Sequence, residues 1–172
     1  MKVEVARYRD LARERREQID EAAWAEFEQF AIVRENEWAT ADWTFLAFEE
    51  EELVSYFNLI DRVVRLDGVP VRVAGLNNMV TLPRHRGKGH ASRLLREAQP
   101  RWSTEFGFEA GLLLCADALL LFYMQLGWRK IECPIVYAQP DGQRTWGANG
   151  MLLDLDRRME ARQRVDLCGL PW

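Results

Sequence analysis

The feature that most constrains the fold is a glycine-bearing turn, 86–91, between a predicted strand and a predicted helix. Small residues at Gly87, Gly89 and Ala91 let an anion approach the backbone, so that free N–H groups and the dipole at the helix start can bind it. Basic side chains in and beside the turn add positive charge. The turn therefore predicts a pyrophosphate site, although taken alone it also fits an ordinary tight connection.

Two commoner phosphate motifs fit this segment poorly. The run from Gly87 begins like Gly-x-Gly-x-x-Gly but ends in Ser92, and it follows predicted antiparallel strands instead of opening a βαβ unit. A nucleotide triphosphate loop would need Gly-Lys-Ser or Gly-Lys-Thr, whereas here Lys88 lies between two glycines. A dinucleotide-binding fold and a kinase or ATPase loop are therefore disfavoured.

Hydropathy patterns predict the order of the helices and strands. Ile19 and Phe30 lie on the apolar face of the first predicted helix, Pro100 is expected to kink or end the second, and Asp117 to cap the third. The predicted elements, in chain order, are strand 2–8, helix 14–30, strands 43–48, 53–66 and 69–76, helix 88–105, strand 110–116, helix 117–127, and a hairpin of 131–139 with 151–155.

Composition limits the number of domains and the class of partner. The chain has 172 residues, of which 48% are hydrophobic, and this predicts one domain over residues 1–172. The formal charge is −4, and the arginines near the N-terminus alternate with acids. This pattern does not give the one-sided basic surface that binds a phosphate backbone, so nucleic acid is not expected as a partner. A mildly acidic chain weakly favours a cationic substrate.

Cysteine content and apolar patterning bear on metal binding and location. Three widely spaced cysteines and two histidines predict neither a disulfide framework nor a metal site. The first residues lack the apolar segment of a signal peptide, and the longest apolar stretch is broken at Asp117. We therefore expect a cytoplasmic protein that does not bind a membrane.

Two segments together resemble the GCN5-related N-acetyltransferase (GNAT) superfamily. Arg86-x-x-Gly89-x-Ala91 matches its signature Arg/Gln-x-x-Gly-x-Gly/Ala, and the segment from Phe122 to Trp128 looks like its Phe-Tyr-x-x-x-Gly-Phe. The resemblance covers residues 2–155. It implies an α+β fold, in which a mixed, mostly antiparallel sheet of roughly six to seven strands is flanked by about four helices.

The resemblance also implies acetyl-CoA as cosubstrate and an enzyme that transfers its acetyl group to an amine. The coenzyme would lie along the end of one strand, the glycine-bearing turn and the third helix. The residues implied to contact it are Met79, Val80, Thr81, Arg86, Gly87, Lys88, Gly89, His90, Ala91, Asp117 and Phe122.

The motif tyrosine, Tyr123, commonly protonates the departing coenzyme A thiolate in that family. A phenol with an ordinary pKa near 10 is protonated at neutral pH and can donate to a thiolate whose ordinary pKa is near 8.5. The alternative is that Tyr123 only packs beside Leu119 and Phe122.

The residue that deprotonates the amine is less clear from the sequence. Many relatives carry a glutamate where this chain has Asn77, and an amide cannot act as a base near neutral pH. A carboxylate at Glu35, Glu37 or Asp61, a water chain, or weakened transfer remain as alternatives. The resemblance further implies that backbone N–H groups meet the developing oxyanion, at a bulged part of the strand near Asn78 or Met79.

The C-terminal segment, 165–172, resembles more loosely that of aminoglycoside 2'-N-acetyltransferases. That likeness implies that the carboxylate of Trp172 and Asp166 hold a cationic acceptor, with help from Glu35, Glu37 and Asn78; a tail merely pinned by Trp172 is the alternative. The acceptor could instead be another small amine or a protein N-terminus. A non-catalytic acyl-CoA-binding module and a homodimer also remain open.

Overall fold

The computed structural model describes all 172 residues and contains a ten-stranded sheet with four α-helices. None of these helices is long and apolar enough to span a lipid bilayer. The helices are α1 Arg13–Phe27, α2 Ala31–Arg34, α3 His90–Thr104 and α4 Leu120–Met124. The strands are β1 Lys2–Arg7, β2 Trp43–Glu49, β3 Glu52–Leu66, β4 Val69–Thr81, β5 Ala110–Cys115, β6 Arg129–Lys130, β7 Ile135–Gln139, β8 Gly142–Thr145, β9 Asn149–Asp154 and β10 Val165–Asp166.

The sheet runs in the order β6-β9-β5-β4-β3-β10-β7-β8, and β2 pairs with β3 and β1. Only the pairs β4–β5 and β10–β7 are parallel. The predicted α+β class with a mixed, mostly antiparallel sheet is therefore confirmed. The sheet exceeds six to seven strands because β6, β8 and β10, of two to four residues each, are too short to show an alternating pattern.

The β3–β4 hairpin is the longest feature of the sheet and places the end of β4 at the site. Its turn is Asp67-Gly68, with φ values of 51° and 85°, as a two-residue turn with left-handed backbone requires. The antiparallel register runs from Leu66↔Val69 to Ser55↔Thr81. The predicted hairpin is confirmed, and β4 extends five residues beyond its predicted end at residue 76.

One predicted helix end was wrong, and one was confirmed to within a residue. Phe30 lies beyond α1 and is 47% exposed, because the helix ends at Phe27 and its buried side chains are Ile19 and Ala23. The helix α3 runs through Pro100 to Thr104, next to its predicted end at residue 105, so Pro100 does not end it. Pro100 deprives the helix of one N–H donor, but the fully buried Trp102 anchors the last turn.

The prediction that Asp117 caps the helix after β5 is wrong. The segment begins as a 3₁₀ turn at Asp117–Leu119, and α4 has only five residues. The Asp117 carboxylate instead accepts a hydrogen bond of 2.6 Å from Asn149 Nδ2 on β9. The structure therefore uses Asp117 to join the ends of two strands.

The sheet has an apolar core on each face, because successive strand residues point to opposite sides. On β4, Leu76 packs in the cluster that also contains Leu94 and Trp102 of α3. Val73 packs in a second cluster on the other face, which includes Tyr137 of β7 and the tail residue Trp172. The helices α3 and α4 thus lie against one face, and the C-terminal segments cover the other.

Candidate active site

A cleft opens where the central parallel strands separate. The pairing of β4 with β5 begins at Val73↔Ala110 and stops at Leu76↔Leu113. Beyond this point β4 continues to Thr81 and β5 to Cys115 without pairing to each other. The unpaired strand ends leave backbone groups available to a ligand lying between them.

The β4 edge of this cleft is a β-bulge. The register passes from Asn58↔Asn77 to Tyr56↔Val80, so that two residues of β4, Asn78 and Met79, face one residue of β3. Asn78 has the left-handed φ of 48° that such an insertion uses. The bulge lies where it was predicted, whereas its contact with an oxyanion stays a prediction.

The bulge also changes which face the following side chains occupy. Before it, Leu76 packs in the cluster of α3; after it, Met79 packs against that cluster, and Val80 joins Ile19 of α1 on the other side. A regular strand would place positions of the same parity, 76, 78 and 80, on one face. The extra residue therefore turns Met79 toward the cleft.

A cavity of about 330 Å³ lies between the end of β4, the glycine-bearing turn and α4. It brings together nine of the eleven predicted coenzyme contacts; Lys88 and Asp117 do not line it. It also contains Glu26, His85 and Ser92, which sequence reasoning missed. The nine are Met79, Val80, Thr81, Arg86, Gly87, Gly89, His90, Ala91 and Phe122.

The glycine-bearing turn forms an open helix start. Gly87 and Gly89 have φ values of 74° and 77°, a left-handed conformation that disfavours other residues. Gly89 occupies the N-cap of α3 without a side-chain hydrogen bond, so the first N–H groups of the helix remain available. This cradle of backbone donors at a helix N-terminus fits the pyrophosphate of a coenzyme.

Histidine 90 begins α3 and is almost fully buried. Its burial lowers the pKa of His90 below the ordinary value near 6.5, so the ring is neutral at pH 7. Its Nδ1 lies 2.9 Å from Arg93 Nη2. His90 therefore shapes the cavity wall as a neutral ring.

Tyr123 lies on α4 and is only 6% exposed. Burial, and to a smaller extent the neighbouring Cys115, raises the pKa of Tyr123 well above its ordinary value. The phenol therefore stays protonated throughout the neutral range, as a proton donor must. Its ring packs edge-on against Phe122 and Trp128, at centroid distances of 5.0 and 6.0 Å.

The thiol of Cys115 is not suited to carry an acyl group. Burial raises the pKa of Cys115 to about 11, so almost no thiolate is present at neutral pH. The structure thus favours direct transfer between the two substrates.

The residues predicted as candidates for deprotonating the amine lie on different elements of the fold. Asp61 accepts two hydrogen bonds from Arg72, of 2.9 and 2.7 Å, and this ion pair withholds it from proton abstraction. Asn77 lies in the cleft strand, opposite the buried Asn58. Glu35 and Glu37 are exposed on the loop between α2 and β2, and neither carboxylate forms an ion pair.

This α2–β2 loop is fixed to the β7–β8 hairpin. Gln139 of β7 accepts a 2.8 Å hydrogen bond from the Glu37 backbone N–H and donates one of 2.9 Å to its carbonyl. The Tyr137 hydroxyl donates to Asn36 Oδ1 at 2.9 Å. The loop and hairpin therefore form one wall, and they hold Glu35 and Glu37 in place relative to the sheet.

Two tryptophans line the same wall. Trp38 of the loop and Trp146 after β8 pack edge to face, with their centroids 6.2 Å apart. Trp146 Nε1 donates to the carbonyl of Asn149 at 3.1 Å, and Asn149 pairs with Cys115 at the end of β5. The aromatic wall thus adjoins the strand end from which Tyr123 follows.

The tail residue Trp172 is buried, with 3% of its surface exposed. Its indole lies so close to Gly75 of β4 that a Cβ there would be 2.6 Å from Cε2. The indole Nε1 donates to the Leu112 carbonyl at 3.4 Å. This arrangement corresponds to the alternative of a pinned tail, and it lies one residue before β4 and β5 separate.

The structure does not bring Asp166 to the cleft. Asp166 pairs with Arg65 of β3, whereas Asn77 pairs with Asn58, so the two sites are seven residues apart along β3. At about 3.3 Å per residue this separation is about 23 Å. Asp166 Oδ1 accepts from the Cys168 N–H at 2.9 Å, and so closes a turn of the tail.

Together, the separated parallel strands, the bulge, the open helix start and the protonated Tyr123 define an acyl-coenzyme A N-acyltransferase. The family model "Acetyltransferase (GNAT) domain" matches residues 7–131. The chain belongs to this GNAT family, and it is an acetyl-CoA-dependent N-acetyltransferase. The predicted family, enzyme class and cosubstrate are thereby confirmed. No curated protein sequence matches the chain.

Solved structures share the fold at low sequence identity. ElaA from Escherichia coli has a TM-score of 0.59 at 15% identity, over 90% of this chain and 100% of its own. A GNAT acetyltransferase from Brucella melitensis in complex with acetyl-CoA has a TM-score of 0.58 at 16% identity, over 93% and 92%. The ribosomal-protein-S18-alanine N-acetyltransferase from Escherichia coli has a TM-score of 0.57 at 16% identity, over 92% and 97%.

Proposed function

We propose that this enzyme acetylates a primary amine of a small cationic acceptor by direct attack on the thioester. The observation that carries the proposal is the wall formed by the α2–β2 loop and the β7–β8 hairpin. It combines the unpaired carboxylates of Glu35 and Glu37 with Trp38 and Trp146, on the face of the sheet away from α3 and α4. Carboxylates attract ammonium groups, and indole faces stabilise them by cation–π contact.

In this proposal, the cradle of backbone donors at the start of α3 binds the coenzyme. The N–H groups at the start of α3 and the Arg86 guanidinium bind the pyrophosphate, and Met79 at the bulge faces the thioester arm. Acetyl-CoA supplies the activated acetyl group. Backbone N–H groups freed by the bulge then stabilise charge on the acetyl oxygen, as donors fixed in advance do in acyl transfer.

The reaction needs the nitrogen to lose two protons and the sulfur to gain one. The acceptor arrives as an ammonium and loses its first proton through water held by Asn77, toward the exposed carboxylates of the wall, because the amide itself is no base. The free amine then bonds to the carbonyl carbon, and Tyr123 donates its proton to the sulfur as the carbon–sulfur bond breaks. The nitrogen releases its second proton as the amide forms, and the phenolate of Tyr123 takes up a proton to complete the cycle.

An aminoglycoside is one acceptor with suitable chemistry, since it carries several ammonium groups. The loose likeness of the tail, 165–172, supports it. Asp166 lies about 23 Å along β3 from Asn77. Trp172 is only 3% exposed. The proposal for the acceptor site therefore rests on Glu35 and Glu37, with Asn78 as a further contact.

A thiol-release assay across a panel of amines tests the proposal. The panel contains aminoglycosides, linear diamines, neutral monoamines and a peptide with a free N-terminus. We expect turnover to rise with the acceptor's positive charge. Binding of coenzyme A without turnover on any amine would identify an acyl-CoA-binding module, and equal turnover on neutral and dicationic amines would contradict the cationic acceptor.

The double variant Glu35→Gln/Glu37→Gln checks the role of the wall. Loss of both charges is expected to raise the KM of a dicationic acceptor by about tenfold, because each exposed charge pair contributes up to about 1 kcal/mol. The KM of acetyl-CoA should not change. Glu132→Gln, which alters an exposed glutamate between β6 and β7, is the matched control.

A further inference from the structure

Three arginines around the glycine-bearing turn form ion pairs with glutamates from other elements. Two of these pairs, Arg84–Glu52 and Arg93–Glu49, involve glutamates at the ends of β3 and β2, outside the coenzyme cavity. The neutral ring of His90 also lies near Glu49. The third pair, Arg86–Glu26, involves Glu26 of α1, the one acidic residue that lines the cavity.

Glu26 forms an ion pair with Arg86, the side chain proposed to bind the coenzyme pyrophosphate. Arg86 Nη2 donates to Glu26 Oε2 at 2.5 Å, and Arg86 Nε donates to the Thr81 carbonyl at 3.1 Å. Both side chains remain partly exposed in the cavity, 51% for Arg86 and 38% for Glu26. The carboxylate therefore occupies one of the guanidinium edges that a pyrophosphate oxygen would use.

The position of Glu26 is fixed by the packing of its helix. Ile19 of α1 is fully buried against the sheet, and its carbonyl accepts a 2.5 Å hydrogen bond from the Tyr56 hydroxyl. Glu26 lies two turns further along the same helix. Because α1 is anchored in this way, the backbone of Glu26 stays beside the cavity, and its carboxylate remains within reach of Arg86 when an anion arrives.

We infer that Glu26 competes with the pyrophosphate of acetyl-CoA for Arg86, and thereby sets how tightly the coenzyme is held and how readily the product leaves. A bound pyrophosphate must share the guanidinium with a carboxylate of the same sign. Coenzyme A carries the same phosphates after transfer, so the competition also favours its release. Glu26 acts through Arg86 and is a positioning residue.

The inference is tested by measuring the Kd of coenzyme A by calorimetry, without any acceptor. Glu26→Gln is expected to lower the Kd about three- to tenfold at about 20 mM salt, as expected for one partly exposed charge removed beside the phosphates. At about 500 mM salt the two proteins should converge, because screening then acts within a few ångströms. A structural defect would not show this salt dependence.

Three variants control the measurement. Glu28→Gln removes the same charge from the same helix end, on an exposed side chain outside the cavity, and should leave the Kd within about twofold. Glu26→Ala should lower the Kd in the same direction as Glu26→Gln. In an Arg86→Gln background, Glu26→Gln should lose most of its effect, since the two residues act as one pair.

Two outcomes would overturn the inference. Unchanged or weaker coenzyme binding by a folded Glu26→Gln protein at low salt would show that Glu26 supports Arg86 instead of competing for it. An equal gain in the Arg86→Gln background would show a general charge effect. Because no acceptor is present, these results are independent of whether the proposed cationic acceptor is correct.

Discussion

In the proposed reaction, Tyr123 has the most direct chemical task. Its burial keeps the phenol protonated, and its place on α4 follows the strand end that borders the cleft. A phenol that stays protonated at neutral pH has the charge state that the proposed proton donor to the leaving thiolate requires.

Tyr123→Phe is therefore expected to reduce kcat about 10²- to 10⁴-fold, the range typical of general acid catalysis. The Kd of coenzyme A should stay within about twofold, since the ring and its packing against Trp128 remain. Steady-state kinetics and calorimetry measure the two effects. An unchanged kcat would leave Tyr123 as a packing residue only.

At the scale of single residues, the sequence predicted features formed by neighbours in the chain and missed contacts between residues far apart in the chain. Gly87, Gly89 and Tyr123 belong to short motifs whose neighbours define their environment. The pair of Arg86 with Glu26 joins residues 60 positions apart, and no local pattern indicates it. From the sequence, this pair could have been found only from the position of Glu26 along α1, after the apolar residues of that helix had been assigned to its buried face.

At the scale of the elements, the packing of β4 depends on the C-terminal tail. Trp172 fills the space above Gly75, where any side chain would collide with the indole. The tail therefore requires glycine at this position, and glycine without the tail would leave a gap on the sheet.

A double-mutant cycle tests this dependence. Gly75→Ala is expected to destabilise the protein by about 1–3 kcal/mol through overpacking. Trp172→Ala should cost about 3–5 kcal/mol, as for other buried aromatic residues. In the Trp172→Ala background, Gly75→Ala should be close to neutral. Urea unfolding gives the free energies, and additive effects would contradict the contact.

Element boundaries were predictable where a periodic pattern was long. The strand 53–66 and the Asp67-Gly68 turn were predicted almost to the residue, because alternation and turn chemistry agree. The short β8 and α4 were not, since a few residues cannot establish a period. Their places are set by contacts across the sheet, such as Asn149 with Asp117.

At the scale of the whole molecule, several buried acids remain protonated in the folded state. Burial raises the pKa of Cys115 to about 11 and raises the pKa values of Tyr56 and Tyr123 further above their ordinary range. The unfolded chain releases these protons from about pH 8.5 for cysteine and about pH 10 for tyrosine. Above those values the unfolded state binds fewer protons, so the free energy of unfolding falls as the pH rises.

We therefore expect constant stability from neutral pH to about pH 8.5 and a decline above it, of at most about 1.4 kcal/mol per pH unit for each group. Urea unfolding at about pH 8 and about pH 10.5 measures the change. Tyr56→Phe should flatten the slope, although it also removes the hydrogen bond to Ile19. Equal stability at both pH values would contradict the expectation.

The bulge in β4 makes the cleft sensitive to the number of residues as well as to their kind. The pairs Asn58↔Asn77 and Tyr56↔Val80 flank the extra residue. Deleting Asn78 would leave Met79 as the single residue between these pairs, so the strand would become regular while Val80 and the residues after it keep their faces. A single in-frame codon deletion at Asn78 would thus remove the backbone irregularity at the cleft without exchanging the side chains on the two faces of the strand.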